Sequence, residues 1–406
     1  MSHPIVVVGA GQAAASFASR HVAGGLQQPL LIIGEENTAP YQRPPLSKKY
    51  LLGEADLEQL YIRQPGWYGE QGVETRLGVR VESIDRDAGA IKLSDGDVIA
   101  YDKLVLCTGS RPRTLPESAG GSLKGVFTLR TVEDIEQVRP NFSSGRHLLI
   151  IGGGYIGLEA AAVARTLGMD VTLVEMADRI LQRVAAQETS DFFRELHRSN
   201  GVNIRESTAL DRLTESGSRF SGALLQDGET IDADIALVGI GAIPNTELAE
   251  AAGLDCDNGI TVDHQCRTSD ADIFAAGDCT SFERDGRRIR LESVQNASDQ
   301  GDLVARVIAG EDVSYTAIPW FWSEQYDTML QIVGLNQGHD HIVLRPGAKE
   351  NSQSIWYYRG DTLLAIDAIN DTKSYAFGRR LMEMGKAPTP DQAADPDVDL
   401  KALLKS

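Results

Sequence analysis

One local pattern occurs twice in this chain of 406 residues and restricts its fold more than any other feature. In residues 5–33, two apolar runs flank the glycine turn Gly9-Ala-Gly11-Gln-Ala-Ala14 and a stretch with the composition of a helix. Residues 148–174 repeat this order around Gly152-Gly-Gly154-Tyr-Ile-Gly157. Each copy predicts a strand, a glycine turn, a helix and a second strand. Because apolar runs without alternation are typical of parallel strands buried on both faces, we expect parallel sheets.

A glycine turn that opens a helix is suited to binding phosphate. Glycine lets the backbone approach a pyrophosphate, and the helix N-terminus supplies N–H donors and partial positive charge. An acidic residue after the next strand then accepts from the ribose hydroxyls, and Glu35 and Glu175 lie near the expected spacing. We therefore predict two dinucleotide sites, with turn residues Gly9, Gly11, Gln12, Ala13 and Ala14 in the first and Gly152, Gly154, Tyr155, Ile156 and Gly157 in the second.

Other apolar runs extend this architecture. Two of them end in small residues, at Thr108-Gly109 and at Gly241, and predict buried strands that lead into turns near the cofactors. A helix is predicted from Val294 to about Ala309. After Trp320 the pattern changes to antiparallel strands over residues 326–333, 342–344, 354–358 and 363–369. Residues 387–399 are rich in Pro and Asp and predict a loop before a short last helix.

Charge and cysteine content exclude several classes of function. With 58 acidic and 39 basic residues the formal charge is −19, which argues against broad nucleic-acid or membrane binding. The N-terminus shows no secretory signal, and no apolar run reaches the length of a membrane span. None of the four cysteines, Cys107, Cys256, Cys266 and Cys279, forms a C-x-x-C pair or matches a zinc site. We expect a cytoplasmic protein without a metal site.

Specific motifs narrow these expectations to a family. The segment from Thr268 to the Gly-Asp pair at Asp278 resembles the second FAD motif of the glutathione-reductase-type pyridine-nucleotide disulfide oxidoreductases. Arg43-Pro-Pro-Leu-Ser-Lys48, Gly152-Gly-Gly-Tyr-Ile-Gly-Leu-Glu159, Leu291-Glu-Ser-Val-Gln-Asn-Ala297 and Pro319-Trp-Phe-Trp-Ser323 resemble the FAD- and NADH-dependent ferredoxin reductases of bacterial oxygenase systems. The resemblance covers nearly the whole chain.

The resemblance implies an α/β fold with two Rossmann-like dinucleotide-binding domains and an α+β C-terminal domain. The FAD domain is expected to be discontinuous, formed by residues 1–110 and 242–318. The NADH domain is expected at residues 111–241 and the C-terminal domain at residues 319–406.

The resemblance also implies site residues. The positions that it matches to FAD contacts are Ala13, Glu35, Arg43, Lys48, Val81, Arg130, Asp278 and Val294. Those matched to the nicotinamide nucleotide are Gly152–Gly157, Glu159 and Glu175. Family members have a tryptophan at the position of Trp322, near the flavin edge that faces the ferredoxin.

Residue chemistry supports some of these roles but leaves alternatives open. Lys48 follows a rigid Arg-Pro-Pro segment that would hold its ammonium group beside a reduced flavin, and the alternative is a solvated surface lysine. Glu159 is placed in the first turn of the second nucleotide helix, where a favourable interaction with the helix dipole is the alternative to an ion pair with Lys48. The helix starting at Val294 is expected to stabilise negative charge on the flavin. Trp322 is either functional or part of the core.

The function that follows is an NADH:ferredoxin reductase. Residues 44–51 contain no cysteine, so no thiol relay is expected, and electrons must leave the flavin directly. The predicted acceptor is a two-iron, two-sulfur ferredoxin that serves a monooxygenase or a dioxygenase. Alternatives are an enzyme that reduces rubredoxin, monodehydroascorbate or dioxygen, and a non-catalytic flavoprotein that responds to NADH.

Ferredoxin docking is expected to need a local basic patch, because ferredoxins of this class are usually acidic. The candidates are Arg287, Arg288, Arg290, Arg379 and Arg380, with solvated surface charge as the alternative. The sequence is compatible with a monomer or a homodimer.

Overall fold

The computed structural model describes residues 3–405, which form two compact units. The first unit consists of the chain up to Arg43, Asp56–Arg111 and Ala242–Ala317. The second consists of Pro44–Ala55, Pro112–Gly241 and the chain from Ile318 onward. The domain boundaries proposed from the sequence stay a prediction.

The core of the first unit is a parallel sheet built from the predicted apolar runs. Its five strands lie in the order Ile273–Ala275, Lys103–Leu106, Ile5–Val8, Leu30–Gly34 and Val73–Leu77. Apolar clusters cover both faces, which explains why these strands show no alternation of polar and apolar residues.

Five helices of the described residues 3–405 belong to the first unit. They are Gln12–Ala23, Leu57–Leu60, Pro65–Glu70, Glu247–Ala251 and Val294–Ile308. We call Gln12–Ala23 the first nucleotide helix. It packs against Val294–Ile308 at Gly301, where a Cβ atom would lie 2.3 Å from the carbonyl oxygen of Ala13. The predicted start of the later helix at Val294 is confirmed.

Short strands complete the first unit. Two three-stranded sheets comprise Val81–Asp85, Ala90–Leu93 and Val98–Ala100, and Ile260–Val262, Thr280–Arg284 and Arg287–Ile289. A two-stranded ribbon pairs Ser110–Pro112 with Ala242–Pro244.

The second unit repeats the parallel design. Its five parallel strands lie in the order Val202–Arg205, Asp170–Val174, His147–Ile151, Ile235–Val238 and Val126–Phe127. A smaller antiparallel sheet contains Leu210–Ser216, Arg219–Leu225 and Thr230–Asp232. The helices of this part are Lys49–Leu52, Val132–Val138, Tyr155–Thr166 and Gln187–Ser199, with 3₁₀ turns at Pro44–Ser47, Glu117–Ala119 and Arg139–Asn141. We call Tyr155–Thr166 the second nucleotide helix.

The C-terminal part of the second unit is an antiparallel sheet with helices. Its strands lie in the order Trp320–Gln325, Thr328–Gly334, Thr362–Ile369, Gln353–Arg359 and His341–Pro346, and it is followed by the helices Thr372–Glu383 and Pro390–Ala394 and the 3₁₀ turn Ala402–Leu404. The antiparallel strands predicted after Trp320 are confirmed. The strand Trp320–Gln325 was not predicted.

The prediction of a loop over residues 387–399 is wrong in part. Thr389 and Gln392 form a reciprocal capping box that starts the helix Pro390–Ala394. Arg345 then donates hydrogen bonds to the carbonyl oxygens of Ala393, Asp395 and Val398 at 2.5–3.2 Å. These bonds satisfy main-chain acceptors at and just beyond the C-terminal end of this helix.

Two parallel sheets, each with a glycine turn after one of its strands, and the antiparallel C-terminal sheet confirm the predicted α/β fold class. Among the helices of residues 3–405, none is long and apolar enough to cross a membrane.

Candidate functional site

The first glycine turn leaves an open helix N-terminus. Gly9 has a φ of +109°, and a Cβ atom there would lie 2.1 Å from the carbonyl oxygen of Cys107. Gly11 precedes the first nucleotide helix without a side-chain cap, and no atom lies within 4 Å of the position that its Cβ would occupy. Ala14 is fully buried. The turn therefore offers N–H groups and free space where an anion would bind.

The second glycine turn has the same construction. Gly152 has a φ of +106°, and its Cβ would lie 2.5 Å from the carbonyl oxygen of Gly239. Gly157 packs against the turn itself, since a Cβ there would lie 2.3 Å from the carbonyl oxygen of Gly152. Gly154 precedes the second nucleotide helix without a side-chain cap. A larger residue at Gly152 or Gly157 would collide with backbone atoms.

The two acidic residues proposed for ribose differ in their surroundings. Glu35 directly follows the strand Leu30–Gly34, is largely exposed, and its nearest basic partner is Arg80 at 3.8 Å. Glu175 follows Asp170–Val174 and accepts hydrogen bonds from the N–H groups of Gly153 at 2.6 Å and Ala177 at 2.7 Å. Glu175 thus fixes the second glycine turn and keeps lone pairs for a further donor.

Several further candidates of the first unit cluster around Asp278. Its carboxylate accepts from Ser110 Oγ at 2.9 Å. Thr108 and Asn245 exchange hydrogen bonds of 2.7 and 2.8 Å, and Gly109 has a φ of +66°. Sequence reasoning missed Ser110 and Asn245, because only the fold brings Ser110 to Asp278 and Asn245 to Thr108.

The remaining candidates of the first unit lie in different settings. Arg43 forms an ion pair with Glu36 at 2.5 Å and lies over the ring of Tyr41. Val81 is buried at the start of a strand, and Val294 is the first residue of a helix whose cap, Ser293, accepts from Asn296 N–H at 3.1 Å. These contacts leave the roles proposed for Arg43, Val81 and Val294 as predictions.

In the second unit, Lys48 and Glu159 form a buried ion pair. Lys48 Nζ lies 2.7 Å from Glu159 Oε2, and only 13% and 3% of the two side chains are exposed. Ser47 Oγ donates to Glu159 Oε2 at 2.6 Å, and Ser323 Oγ donates to Oε1 at 2.7 Å. A solvated surface position for Lys48 is therefore excluded by its burial.

The placement of Glu159 in the first helical turn is wrong. The second nucleotide helix begins at Tyr155, so Glu159 is its fifth residue and lies beyond the first turn. The helix dipole acts mainly within the first turn, and the buried partners of Glu159 are the stronger influence on its position.

Two candidates of the second unit, Tyr155 and Trp322, are aromatic. The Tyr155 ring lies 4.7 Å from the ring of Phe321, and burial raises the pKa of Tyr155. Trp322 is half-buried with its ring 5.6 Å from that of Trp320. Ile156, the second residue of the second nucleotide helix, is 43% exposed.

The other two candidates of the second unit lie at turns. Arg130 precedes the capping box of the helix Val132–Val138, and its N–H donates to Asp134 at 2.9 Å. Gly241 has a φ of +111°, and its carbonyl oxygen accepts from Arg113 N–H at 2.9 Å. No contact described for either residue tests its proposed role.

The four cysteines are all free, and none is suited to thiol chemistry. Three of them are buried, and burial raises the pKa of every one of them, that of Cys256 to about 11. Since the thiolate is the reactive form, these residues are expected to be inert near neutral pH.

Most of the arginines proposed for ferredoxin docking have local acidic partners. Arg288 lies 3.7 Å from Asp257, and Arg290 pairs with Glu292. Arg379 and Arg380 both pair with Glu383, at 3.0 and 3.1 Å. Arg287 is exposed and has no ion-pair partner among the described residues 3–405. The predicted basic patch is therefore weaker than the sequence suggests.

Two protein-family descriptions match this chain. Residues 3–301 match the family described as pyridine nucleotide-disulphide oxidoreductase, and residues 320–404 match the reductase C-terminal family. The chain belongs to the pyridine nucleotide-disulphide oxidoreductase family. The family predicted from the sequence motifs is thereby confirmed.

Relatives within this pyridine nucleotide-disulphide oxidoreductase family match over nearly their full length. Rhodocoxin reductase of Rhodococcus erythropolis is 40% identical over 98% of this chain and 94% of its own. The ferredoxin–NAD(+) reductase component of the anthranilate 1,2-dioxygenase system of Burkholderia cepacia is 40% identical over 99% of both chains. The crystal structure of a covalent putidaredoxin reductase–putidaredoxin complex contains a chain that is 39% identical, with a TM-score of 0.96 over 99% of this chain and 98% of that one.

Proposed function

We propose that this chain is a flavoprotein that binds FAD and NADH and reduces a two-iron, two-sulfur ferredoxin of an oxygenase system. Two glycine turns, each opening an uncapped helix N-terminus, carry this proposal. The full-length relative that is the ferredoxin–NAD(+) reductase component of a dioxygenase system supports it. The inert cysteines agree with electron transfer that bypasses thiols.

The first unit is proposed to hold FAD. The space beside Gly11 and the N–H groups of the first nucleotide helix suit a pyrophosphate. Glu35 follows the strand whose end meets the adenosine ribose in such folds, and its exposure leaves it free to accept hydroxyl donors. The assignments of Lys48, Arg130 and Trp322 to the flavin rest on the family resemblance.

The second unit is proposed to hold NADH in preference to NADPH. Glu175 would accept from the ribose hydroxyls and repel a 2′-phosphate. Arg179 cannot offset this repulsion easily, because its guanidinium donates to the carbonyl oxygens of Ala185 and Ala186 at 2.8 and 3.2 Å and to Ser190 Oγ. Arg183 is exposed and is the remaining nearby cation.

When bound, the two cofactors supply hydride transfer from the nicotinamide to the flavin. The chain's own residues orient and shield the reacting groups. Lys48 and Glu159 hold each other at 2.7 Å in a position with little exposure, so the ammonium group keeps a fixed orientation. No protein thiol of the described residues 3–405 would carry electrons to the ferredoxin, because the four cysteines are inert.

The first test uses the purified holoenzyme under anaerobic conditions. Addition of NADH should bleach the visible absorption of the bound flavin, and one added ferredoxin should then be reduced at the expense of NADH. A chain that binds no flavin, or whose flavin is reduced by NADH without passing electrons to any two-iron, two-sulfur ferredoxin, would contradict the proposal.

A further inference from the structure

A buried chain of polar side chains leads from the helix Gln187–Ser199 to the carboxylate of Glu159. His197 Nε2 lies 2.7 Å from Gln325 Oε1, and Gln325 Nε2 lies 3.1 Å from Ser323 Oγ. Ser323 Oγ lies 2.7 Å from Glu159 Oε1. None of these four side chains is more than 3% exposed, so water does not compete for their hydrogen bonds.

The carboxylate determines the direction of every bond in this chain. An ionised Glu159 only accepts, so Ser323 must donate its single proton to it. Ser323 Oγ must then accept from the amide nitrogen of Gln325, which turns the amide oxygen of Gln325 towards His197. His197 must therefore carry its proton on Nε2. All three hydrogen bonds consequently donate towards Glu159.

His197 is suited to this fixed role. Its other ring nitrogen, Nδ1, lies 3.4 Å from the hydroxyl group of Tyr326, which can donate to it. Burial lowers the pKa of His197 to about 4, so the ring is neutral and keeps one donor and one acceptor nitrogen near neutral pH. The neutral ring with its proton on Nε2 therefore fits both neighbours, Gln325 and Tyr326.

Two members of this hydrogen-bonded row, Ser323 and Gln325, lie on the strand Trp320–Gln325, which also carries the candidate Trp322. Ser323 and Gln325 are two residues apart and so point to one face of the strand, whereas Trp322 points to the other. Buried polar pairs gain little stability over apolar residues of similar shape. Their main effect here is directional, because they hold one carboxylate oxygen at a set position.

We infer that Ser323, Gln325 and His197 are positioning residues that orient Glu159, and through it Lys48, for the reaction with NADH. Glu159 Oε1 is held by Ser323, while Oε2 is left to Ser47 and Lys48. Without the Ser323 bond the carboxylate would be held at Oε2 alone, and its orientation towards Lys48 would be less fixed. This inference rests on the proposed function, since hydride transfer from NADH is the step that it concerns.

The test measures the limiting rate of flavin reduction by NADH in single-turnover experiments on the holoenzyme. Ser323→Ala should lower this rate roughly tenfold, the size expected for one hydrogen bond to a charged group. Ser354→Ala is the matched control, because Ser354 is equally buried in the same sheet and accepts from Trp356 Nε1 at 3.0 Å without contacting Glu159. The control should leave the rate unchanged.

A double-mutant cycle separates positioning from general damage to the fold. In an enzyme that carries Glu159→Ala, which removes the acceptor of the Ser323 bond, Ser323→Ala should cause little further loss, since the two residues act through one contact. Equal losses in the wild-type and Glu159→Ala backgrounds would overturn the inference, as would an equal effect of Ser354→Ala. If wild-type flavin is not reduced by NADH at all, the proposed function fails first.

His197 gives a second test that does not depend on the serine variants folding. His197→Gln keeps an N–H donor that can reach Gln325 and should retain the wild-type rate of flavin reduction. His197→Leu removes the donor, leaves the amide oxygen of Gln325 unpaired and should lower the rate several-fold. Equal rates in the two variants would overturn the inference.

Discussion

Two buried titratable groups at the helix Gln187–Ser199 have opposite pKa shifts: Asp367, which contacts the helix, and His197, which is part of it. Asp367 accepts from Thr189 Oγ1 at 2.8 Å and from the hydroxyl group of Tyr357 at 2.5 Å, and burial raises its pKa to about 6. His197, on the same helix, has its pKa lowered to about 4 by burial. Each group therefore prefers its neutral form in the folded chain, and each links stability to pH.

The two linkages have opposite signs. Between about pH 4 and 6, folded Asp367 keeps a proton that the unfolded chain has lost, so its contribution to stability falls as pH rises. Over the same range the unfolded chain holds a proton that folded His197 lacks, so the contribution of His197 rises with pH. One proton corresponds to about 1.4 kcal/mol per pH unit, or about 3 kcal/mol over this range. In the wild type the two contributions nearly cancel.

Single substitutions should expose each linkage. Urea unfolding followed by tryptophan fluorescence would compare Asp367→Asn and His197→Gln with the wild type from pH 4 to 6. The free energy of unfolding of Asp367→Asn, relative to wild type, should rise by about 3 kcal/mol across this range. That of His197→Gln should fall by a similar amount, and the double variant should show no trend. Differences that do not vary with pH in either single variant would refute the reasoning.

Three further outcomes concern the nucleotide, the thiols and the partner. NADH should exceed NADPH in kcat/KM by at least about tenfold, roughly 1.4 kcal/mol. Glu175→Gln should reduce this preference for NADH, because it removes the charge but keeps an acceptor for the glycine turn. Equal kcat/KM values for the two nucleotides in the wild type would contradict the role proposed for Glu175. Alkylation of accessible cysteines should leave NADH–ferricyanide turnover nearly intact, and reductive titration should take up two electrons per flavin, whereas uptake of four would reveal a hidden disulfide. Arg287→Glu should lower kcat/KM for ferredoxin several-fold at low ionic strength, with less effect on ferricyanide and less effect at high salt; unchanged ferredoxin kinetics would exclude this surface.

Local patterns predicted the parts of this protein that depend on neighbouring residues in sequence. The glycine turns, the helices that follow them and the buried parallel strands all have signals within a few residues. The strand Trp320–Gln325 has no clear alternation and was missed. The helix Pro390–Ala394 was hidden by a composition typical of loops, although Thr389 and Gln392 form its capping box.

The candidate site depends on contacts that no local pattern encodes. Ser323 and Glu159 are 164 positions apart, and His197 and Gln325 are 128 positions apart. Nothing in a single sequence indicates which buried serine or glutamine will meet which carboxylate. Among the proposed docking arginines, the pairing of Arg288 with Asp257 was likewise not visible in the sequence, because folding brings these two residues together.

Transfer of electrons from NADH to a ferredoxin is the central claim, and steady-state reduction of a purified two-iron, two-sulfur ferredoxin tests it most directly. With holoenzyme in catalytic amount, NADH should be oxidised with two ferredoxins reduced per NADH, and omission of either the enzyme or NADH should abolish the reaction. This stoichiometry follows from a two-electron donor and a one-electron acceptor. NADH oxidation that proceeds equally well without ferredoxin, with dioxygen as the acceptor, would contradict the account.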